Sequence, residues 1–316
     1  MNIFSCVAGT ANTGFSNCSY SPGLIEGALL VPKGTEFTPT QIQSMLTTIT
    51  DMLANDTKAD RAQVIKTFVG MEDKSSEGVY ETTGYGGNRK IRQGKYQWQF
   101  EYSKGAMCLH KKISTLDNKQ DLFDVIWIDT ENNCLLGVKS GDNFKGFALE
   151  LIDVPNFKMN TGASDSKYYV QFAMQDPREM NLYSAIVEFD ESVNLLSELT
   201  SLKDMELSVH TAMTSLGVIK LYVKDGCGSA NLADTYGAEL DTSTLWTATN
   251  AATGGSITVT SVTYASATGT INIDLDSADT DYLAGGTCTL TIGAVSDLVT
   301  AGIEGYSGTS INVTMG

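Results

Sequence analysis

Alternating apolar and polar positions are the main pattern between Val64 and Asp190, and they predict β-strands. In the stretch KYQWQFEY the aromatic residues Tyr96, Trp98, Phe100 and Tyr102 alternate with polar neighbours. A strand places alternate side chains on one face, so we expect these aromatic residues to face a core. Further strands are predicted at FDVIWIDT, CLLGVKS, FALELIDVPNFKM, KYYVQFAMQD and SAIVEFD, separated by turns rich in Asn, Asp and Gly.

A helical period replaces this alternation at two places. Thr38 is suited to cap a helix, Pro39 to begin it, and Gln41 to complete a capping box. The apolar residues that follow at helical spacing predict one buried face: Ile42, Met45, Leu46, Ile49 and Leu53. A second, short helix is predicted in ESVNLLSELTSLKDME, with its apolar residues facing inward: Val193, Leu196, Leu199 and Leu202.

The composition changes after about Glu206. Residues 201–316 hold three lysines and no arginine against twelve acidic residues, and they are rich in Thr, Ser, Gly and Ala. Short alternating strands recur at LSVHTAM, VIKLYV, SITVTSVTY, GTINIDL, CTLTIG and SINVTMG. Short strands with turn signals at this spacing are typical of an immunoglobulin-like sandwich. The domain boundary is expected between residues 200 and 215.

These patterns together predict a mainly β protein. We expect an N-terminal arm and first strand over residues 1–36, with the strand at 28–31. Residues 37–205 are predicted to form an antiparallel β-barrel or sandwich with a flanking helix, and residues 206–316 a C-terminal immunoglobulin-like β-sandwich. The composition agrees, because only 18% of residues are charged and the chain has 30 Gly but 5 Pro.

The sequence has no apolar run long enough to span a membrane, and its start lacks the pattern of a secretory signal. We therefore expect a soluble protein that is not secreted by the signal-peptide route. The six cysteines, at positions 6, 18, 108, 134, 227 and 288, are far apart and predict mostly free, buried thiols. A bridge between Cys6 and Cys18 stays open as an alternative.

No motif predicts catalysis, a cofactor or a metal, so a non-enzymatic protein is expected. His110 and His210 are far apart, and neither lies in a nucleophile motif. The stretch DTENN, from Asp129 to Asn133, resembles the start of a calcium loop, but a hairpin turn explains it better. The carboxylates of DLDSADTD, at 274, 276, 279 and 281, suggest either a cation site or, more simply, a solvated loop.

Positive charge is concentrated in one stretch of an acidic chain. The formal net charge is −16, yet residues 89–112 hold seven cations and a single acidic residue, Glu101. We predict that Arg89, Lys90, Arg92 and Lys95 form a subunit contact with an acidic surface of a second copy, because a heterologous contact pairs two different patches. Residues 70–95 are expected to be a long loop that carries function or becomes ordered on assembly. A solvated loop with incidental lysines is the alternative.

This arrangement resembles the major tail tube proteins of tailed bacteriophages. The features that carry the resemblance are the N-terminal arm, the β-rich body with one flanking helix, the long charged hairpin-like loop and the Thr/Gly-rich, immunoglobulin-like C-terminal domain. The phrases CVAGTANTGFSNCSYSPGLIEGALLVPKG and DLVTAGIEGYSGTSINVTMG are also similar to virion proteins of phages that infect Bacteroidetes. No short motif in the chain is diagnostic of the family.

The resemblance implies a structural virion protein, assembled in the host cytoplasm, that forms stacked hexameric rings. The rings would enclose a channel through which DNA passes without specific binding, and would touch other virion proteins. One alternative is a capsid decoration or head-fibre protein whose C-terminal domain binds host-surface glycans through exposed aromatic residues such as Trp246, Tyr282 or Tyr306. A glycan-processing enzyme is a more distant alternative, because it needs two carboxylates facing each other across a cleft.

Overall fold

Strands hold 44% of the chain and helices 19%, which confirms the mainly β prediction. The computed structural model describes residues 3–5, 21–82, 84, 86–102, 106–163, 165–211, 217–226 and 230–316. Within these ranges no helix is both long enough and apolar enough to cross a bilayer. By internal contacts the chain divides into a first unit, Met1–Leu53 with Thr57–Thr200, and a second unit, Ala54–Asp56 with Ser201–Gly316.

The first unit is built from strands and short helices. Its strands are β1 (Ile3–Ser5), β2 (Ile25–Pro32), β3 (Glu36–Phe37), β4 (Gln63–Lys66), β5 (Phe68–Asp73), β6 (Val79–Thr82), β7 (Asn88–Arg92), β8 (Gln97–Tyr102), β9 (Phe123–Asp129), β10 (Cys134–Ser140), β11 (Asn143–Lys145), β12 (Phe147–Asp153), β13 (Tyr168–Met174) and β14 (Ser184–Glu188). Its α-helices, within the described ranges, are α1 (Pro39–Gln43), α2 (Met45–Leu53), α3 (Ala106–Ile113), α4 (Pro177–Tyr183) and α5 (Leu195–Glu198).

Strand β9 is the centre of the first unit, and all of its residues are buried. Along one edge it pairs with β2, and along the other it pairs with β10 near its end and with β12 near its start. The sheet path runs β1-β14-β10-β9-β12-β13-β8-β5, and every one of these pairs is antiparallel. The sheet branches at β9 because β10 and β12 share one of its edges.

Both faces of the central strands are covered, which explains the near-continuous apolar runs in β2 and β9. On one face, Leu30 and Trp127 join a core with Phe100 and Phe172, which come from β8 and β13. On the other face, side chains of the alternate register pack against α1, α2 and α5. The first unit therefore has a sheet layer on one side of its central strands and helices on the other, as the predicted sandwich with a flanking helix requires.

The predicted first helix forms, but as two helices. Thr38 is its N-cap, and the capping box between Thr38 and Gln41 is present. The helix breaks at Ser44, where the backbone leaves the helical region with φ −118° and ψ 37°, and α2 begins at the next residue. Four of the five predicted apolar residues are fully buried, and Leu46 is partly buried. The second predicted helix is shorter than expected, since α5 ends at Glu198.

The second unit has two sheets around one core. Its strands are β15 (Lys203–Thr211), β16 (Val218–Asp225), β17 (Trp246–Asn250), β18 (Ser256–Ile257), β19 (Val259–Ala265), β20 (Thr270–Leu275), β21 (Thr287–Ile292), β22 (Tyr306–Ser307) and β23 (Ser310–Thr314), and its α-helices in the described ranges are α6 (Ala233–Leu240) and α7 (Val295–Thr300). One sheet has the order β19-β20-β16-β15-β22 and the other β18-β17-β21-β23. All pairs are antiparallel except β15 with β22.

Apolar side chains from both sheets, including Leu221, Ile273 and Leu290, meet in a single core with residues of α6 and α7. Such a pair of sheets is what the strand spacing predicted. The immunoglobulin-like identity stays a prediction, and the two helices were not anticipated.

The expectation of free thiols needs one correction. Cys134 and Cys288 are buried and not disulfide-bonded, but Cys108 on α3 is disulfide-bonded. Cys6, Cys18 and Cys227 lie outside the described residues, and so does the proposed bridge between Cys6 and Cys18.

Candidate assembly surface

The stretch predicted as a long loop, residues 70–95, is largely β-structure. Strand β5 pairs with β8, and the ladder continues beyond them, because Lys74 N–H donates to the Gln97 carbonyl at 2.8 Å and Ser76 N–H to the Lys95 carbonyl at 3.0 Å. Beyond this ladder, β6 and β7 form a separate two-stranded antiparallel sheet. We call β6 and β7 the outer hairpin. Strands therefore occupy much of the predicted loop, in the hairpin-like form that the resemblance implied.

The outer hairpin is exposed along its whole length. Every residue of β6 and β7 is exposed, and in the described part of the chain these strands pair only with each other. Three of these residues are large and apolar: Val79, Tyr80 and Ile91 are 38%, 60% and 59% exposed. Sequence reasoning missed them as surface residues, although their isolation among polar neighbours was visible. An exposed strand pair that carries such side chains is a typical contact surface.

Three of the four predicted contact residues lie on β7. Arg89 is the register partner of Glu81, Lys90 of Tyr80 and Arg92 of Val79. The Lys90 ammonium donates to the side-chain oxygen of Gln93. None of the three cations forms an ion pair with a described residue, so their charge is open to an external partner.

Lys95, the fourth predicted contact residue, is separate from the outer hairpin. It lies in the connection to β8, and its ammonium forms an ion pair with Glu150 on β12. The rest of the basic stretch is divided as well, since Lys111 and Lys112 lie in the last turn of α3, and Lys104 is outside the described residues. The structure thus brings Arg89, Lys90 and Arg92 together but not the whole cluster.

Strand β5 adds an open edge next to this hairpin. It ends the main sheet path, so among the described strands it pairs with β8 alone. Only Phe68 of β5 is buried; Val69 and Met71 are 58% and 46% exposed. An edge strand with free backbone groups and apolar side chains can accept a further strand.

The aromatic residues of β8 belong to the core, as predicted. Phe100 and Tyr102 are fully buried, and Tyr96 and Trp98 pack partly buried against the same cluster. His110 shares a hydrogen bond of 2.8 Å with the Tyr102 hydroxyl, and burial raises the pKa of that hydroxyl. Both rings lie among aromatic side chains, so these contacts indicate a role in packing.

In the two candidate calcium stretches, carboxylates accept hydrogen bonds from groups of the same chain. Asp129 is fully buried and accepts hydrogen bonds from Gly23 N–H at 2.8 Å and Asn132 N–H at 3.0 Å. It lies at the hairpin turn between β9 and β10, so the hairpin interpretation of DTENN is confirmed. In the second stretch, N–H groups of Asp281 and Thr258 hold the pKa of Asp279 below its usual range. Among described residues no group of three metal-binding side chains comes together.

The aromatic residues proposed for glycan stacking are not exposed. Trp246 and Tyr282 are buried in the core of the second unit. The Trp246 indole donates to the Leu240 carbonyl at 3.0 Å, and the Tyr282 hydroxyl accepts from Gly217 N–H at 3.1 Å. Tyr306 is partly buried and packs edge-on against Tyr236. The expectation of exposed stacking rings was wrong for Trp246 and Tyr282, whereas Tyr306 is partly exposed.

A buried carboxyl group in the first unit was also missed. Asp124 is 5% exposed, it accepts from Gly34 N–H at 2.8 Å, and its Oδ1 atom has no hydrogen-bond partner in the described structure. Burial raises its pKa, while Lys33 and Lys145 nearby lower it to a smaller extent. The sequence around Asp124 does not distinguish it from an exposed aspartate at the start of a strand, so its burial could not be predicted.

Comparison of the chain with protein-family models, curated protein sequences and solved structures finds no match. The geometry of the chain therefore carries the functional argument alone.

Proposed function

We propose that this protein is a structural virion protein that assembles with copies of itself into stacked rings, as in a phage tail tube. The observation that supports this proposal is the outer hairpin, in which every residue of β6 and β7 is exposed and three cations form no ion pair with a described residue. Its large apolar side chains are exposed, and the charges of its three cations are not balanced by an ion pair with a described residue.

An isolated two-stranded hairpin is marginally stable in water at best. Val79, Tyr80 and Ile91 leave apolar surface exposed on this one, at 38%, 60% and 59%. Burying that surface against another molecule stabilises the hairpin, since apolar burial contributes about 25 cal/mol per Å². The hairpin is therefore expected to gain its full order in an assembly.

Charge favours a second copy as the partner. The chain has a net charge of −16, so a basic hairpin is attracted to a second copy. A contact between two different patches is heterologous, and repetition of such a contact closes into rings or extends into tubes. The open edge of β5 gives the assembly a second surface, and a channel lined by acidic or neutral residues would let DNA slide, because it repels the phosphate backbone.

Negative-stain electron microscopy at rising protein concentration tests the proposal. The native protein is expected to form rings or tubes, and a variant with Arg89→Ser, Lys90→Ser and Arg92→Ser is expected to stay dispersed. The matched control removes the same charge elsewhere, with Lys58→Ser, Lys111→Ser and Lys119→Ser, and should assemble. Single particles from the native protein at every concentration would refute self-assembly.

No structural observation favours the decoration alternative at present. Its proposed glycan contacts, Trp246, Tyr282 and Tyr306, are buried or partly buried. Stacking of a sugar requires an exposed ring face, so a glycan would have to bind elsewhere on the second unit. A glycan array screened with the native protein decides between the two proposals if no rings form.

A further inference from the structure

The second unit contains a cavity lined by two carboxylates, and no cation is among the described residues that line it. The cavity has a volume of about 470 Å³ and is formed by α6, α7 and the segment between α6 and β17. The carboxylates of Glu239 and Asp297 line it, together with the hydroxyl-bearing residues Thr242, Thr244 and Thr300. Leu245, which is 3% exposed, provides apolar surface.

Helix geometry brings these groups together. Asp297 and Thr300 are three residues apart on α7 and thus share one face of the helix. Asp297 Oδ2 accepts from Ala294 N–H at 3.1 Å, which orients the side chain. Glu239 comes from α6, and its Cγ atom lies 3.9 Å from the position that a Cβ atom of Gly302 would take. The Glu239 carboxylate has no hydrogen bond or ion pair in the described structure.

The lysines of residues 201–316 do not line the cavity. Residues 201–316 contain no arginine, and their lysines are Lys203, Lys220 and Lys224, on β15 and β16. The ammonium groups of Lys203 and Lys224 lie over the rings of Tyr306 and Tyr222, and none of the three lysines lines the cavity. Carboxylates and hydroxyls without a counterion fit a ligand that is cationic and donates several hydrogen bonds.

We propose that this cavity receives a cationic side chain from the outer hairpin of a second copy, Arg89, Lys90 or Arg92. The inference rests on the proposed self-assembly and names the surface that the hairpin contacts. Residues 201–316 carry three lysines against twelve acidic residues, so they are the most acidic part of the chain. A guanidinium group donates in a planar fork that matches a carboxylate, which makes arginine the best occupant.

The size of the cavity suits one side chain. A volume of about 470 Å³ is within the range of ligand sites in proteins, and it accommodates an arginine side chain with water but not a pair of strands. The rest of the hairpin then lies on the rim, where Val79, Tyr80 and Ile91 bury apolar surface. The contact joins different patches on the two copies and is therefore heterologous.

Charge reversal provides the test. One variant reverses the hairpin, with Arg89→Glu, Lys90→Glu and Arg92→Glu, and another reverses the cavity, with Glu239→Arg. Each alone is expected to raise the concentration for half-assembly at least tenfold, measured by sedimentation velocity, with circular dichroism as the check on folding. The milder variant Glu239→Gln removes the charge and keeps the shape, and it should weaken assembly in the same direction.

Mixing the two reversed proteins separates a direct contact from a structural defect. In an equimolar mixture each hairpin finds a cavity of opposite charge on the other variant, so assembly should return. The control Glu206→Arg, an exposed acidic residue of β15 outside the cavity, should assemble like the native protein. Normal assembly of Glu239→Arg, or no recovery in the mixture, overturns the docking site while ring formation by the native protein stands. Absence of assembly by the native protein overturns both proposals.

Discussion

Substitution of Asp129 by alanine is expected to destabilise the first unit more than any other single carboxylate change at a turn. The Asp129 side chain is fully buried at the end of β9. Its carboxylate accepts from Gly23 N–H at 2.8 Å, from Asn132 N–H at 3.0 Å and from the Asn132 amide at 2.8 Å. The substitution therefore releases the segment before β2 and the turn between β9 and β10 together.

The magnitude follows from these three bonds. A hydrogen bond to a charged group contributes about 1.5–3 kcal/mol. Asn132 is exposed and Gly23 is partly exposed, so water replaces part of the loss and each bond counts near the lower end of that range. Removal of the buried charge also recovers some desolvation free energy. We expect a loss of about 2–4 kcal/mol in the free energy of unfolding for Asp129→Ala. Asp129→Asn keeps an acceptor oxygen and should lose about half as much.

Urea denaturation followed by tryptophan fluorescence measures this loss. Trp98 and Trp127 lie in the first unit, and a Trp246→Phe background removes the signal of the second unit from every variant equally. The midpoint for Asp129→Ala should fall by about 1–2 M urea. Asp142→Ala, at the exposed turn after β10, is the matched control and should change the free energy of unfolding by under about 0.5 kcal/mol. Equal losses in the two variants, or a loss below about 1 kcal/mol for Asp129→Ala, would refute the reasoning.

Three further predictions concern buried groups. Burial raises the pKa of Asp124, so the native protein binds this proton more tightly than the unfolded chain does. The free energy of unfolding should therefore fall as the pH rises through the native pKa. In unfolding curves measured between pH 4 and 7, Asp124→Asn should lack this fall. Gly137→Ala should lower the free energy of unfolding by about 2–3 kcal/mol, because its Cβ atom would lie 2.5 Å from a backbone oxygen. In the same urea assay the control Gly70→Ala should leave it unchanged, because the nearest atom to that Cβ would be 3.8 Å away. Iodoacetamide without reductant, read out by mass spectrometry, should label Cys288 only after unfolding and leave Cys108 unlabelled even then.

The sequence predicted two kinds of element correctly: those stabilised by interactions between residues close in sequence, and those with one buried face. The cap at Thr38 formed because Gln41 is close enough in sequence to complete the capping box. The aromatic residues of β8 occupy alternate positions because one face of the strand is buried. This alternation therefore predicted correctly which side chains face the core. The break at Ser44 was not visible, since apolar residues continue at helical spacing on both sides of it.

Helices that depend on tertiary packing escaped prediction. Helix α6 contains Gly237, which lowers helix propensity and suggests a turn by local rules. A Cβ atom at this position would lie 2.4 Å from the ring of Tyr264, so the glycine is required by a contact with β19 that the sequence does not encode locally. Helix α7 has six residues, too few to show a helical period.

The two strands of the outer hairpin were not located from the sequence, for the opposite reason. Both of its strands are exposed on both faces, so no burial imposes an alternation of apolar and polar residues. Its composition is polar and rich in turn-forming residues, and therefore predicted a loop. The strands are defined only by the backbone pairing of β6 with β7.

The same reasoning explains why charge density along the sequence was only a partial guide to the assembly surface. A run of cations in sequence becomes a surface cluster only where one exposed element carries them. Arg89, Lys90 and Arg92 meet that condition on β7, whereas the Lys95 ammonium is paired with Glu150 and is expected to contribute under about 1 kcal/mol as an exposed ion pair. If the hairpin cations are the contact, Lys95→Ser should leave the concentration for half-assembly unchanged while the triple serine variant of β7 raises it. Equal effects of both changes would mean that net charge, and not the geometry of the hairpin, drives assembly.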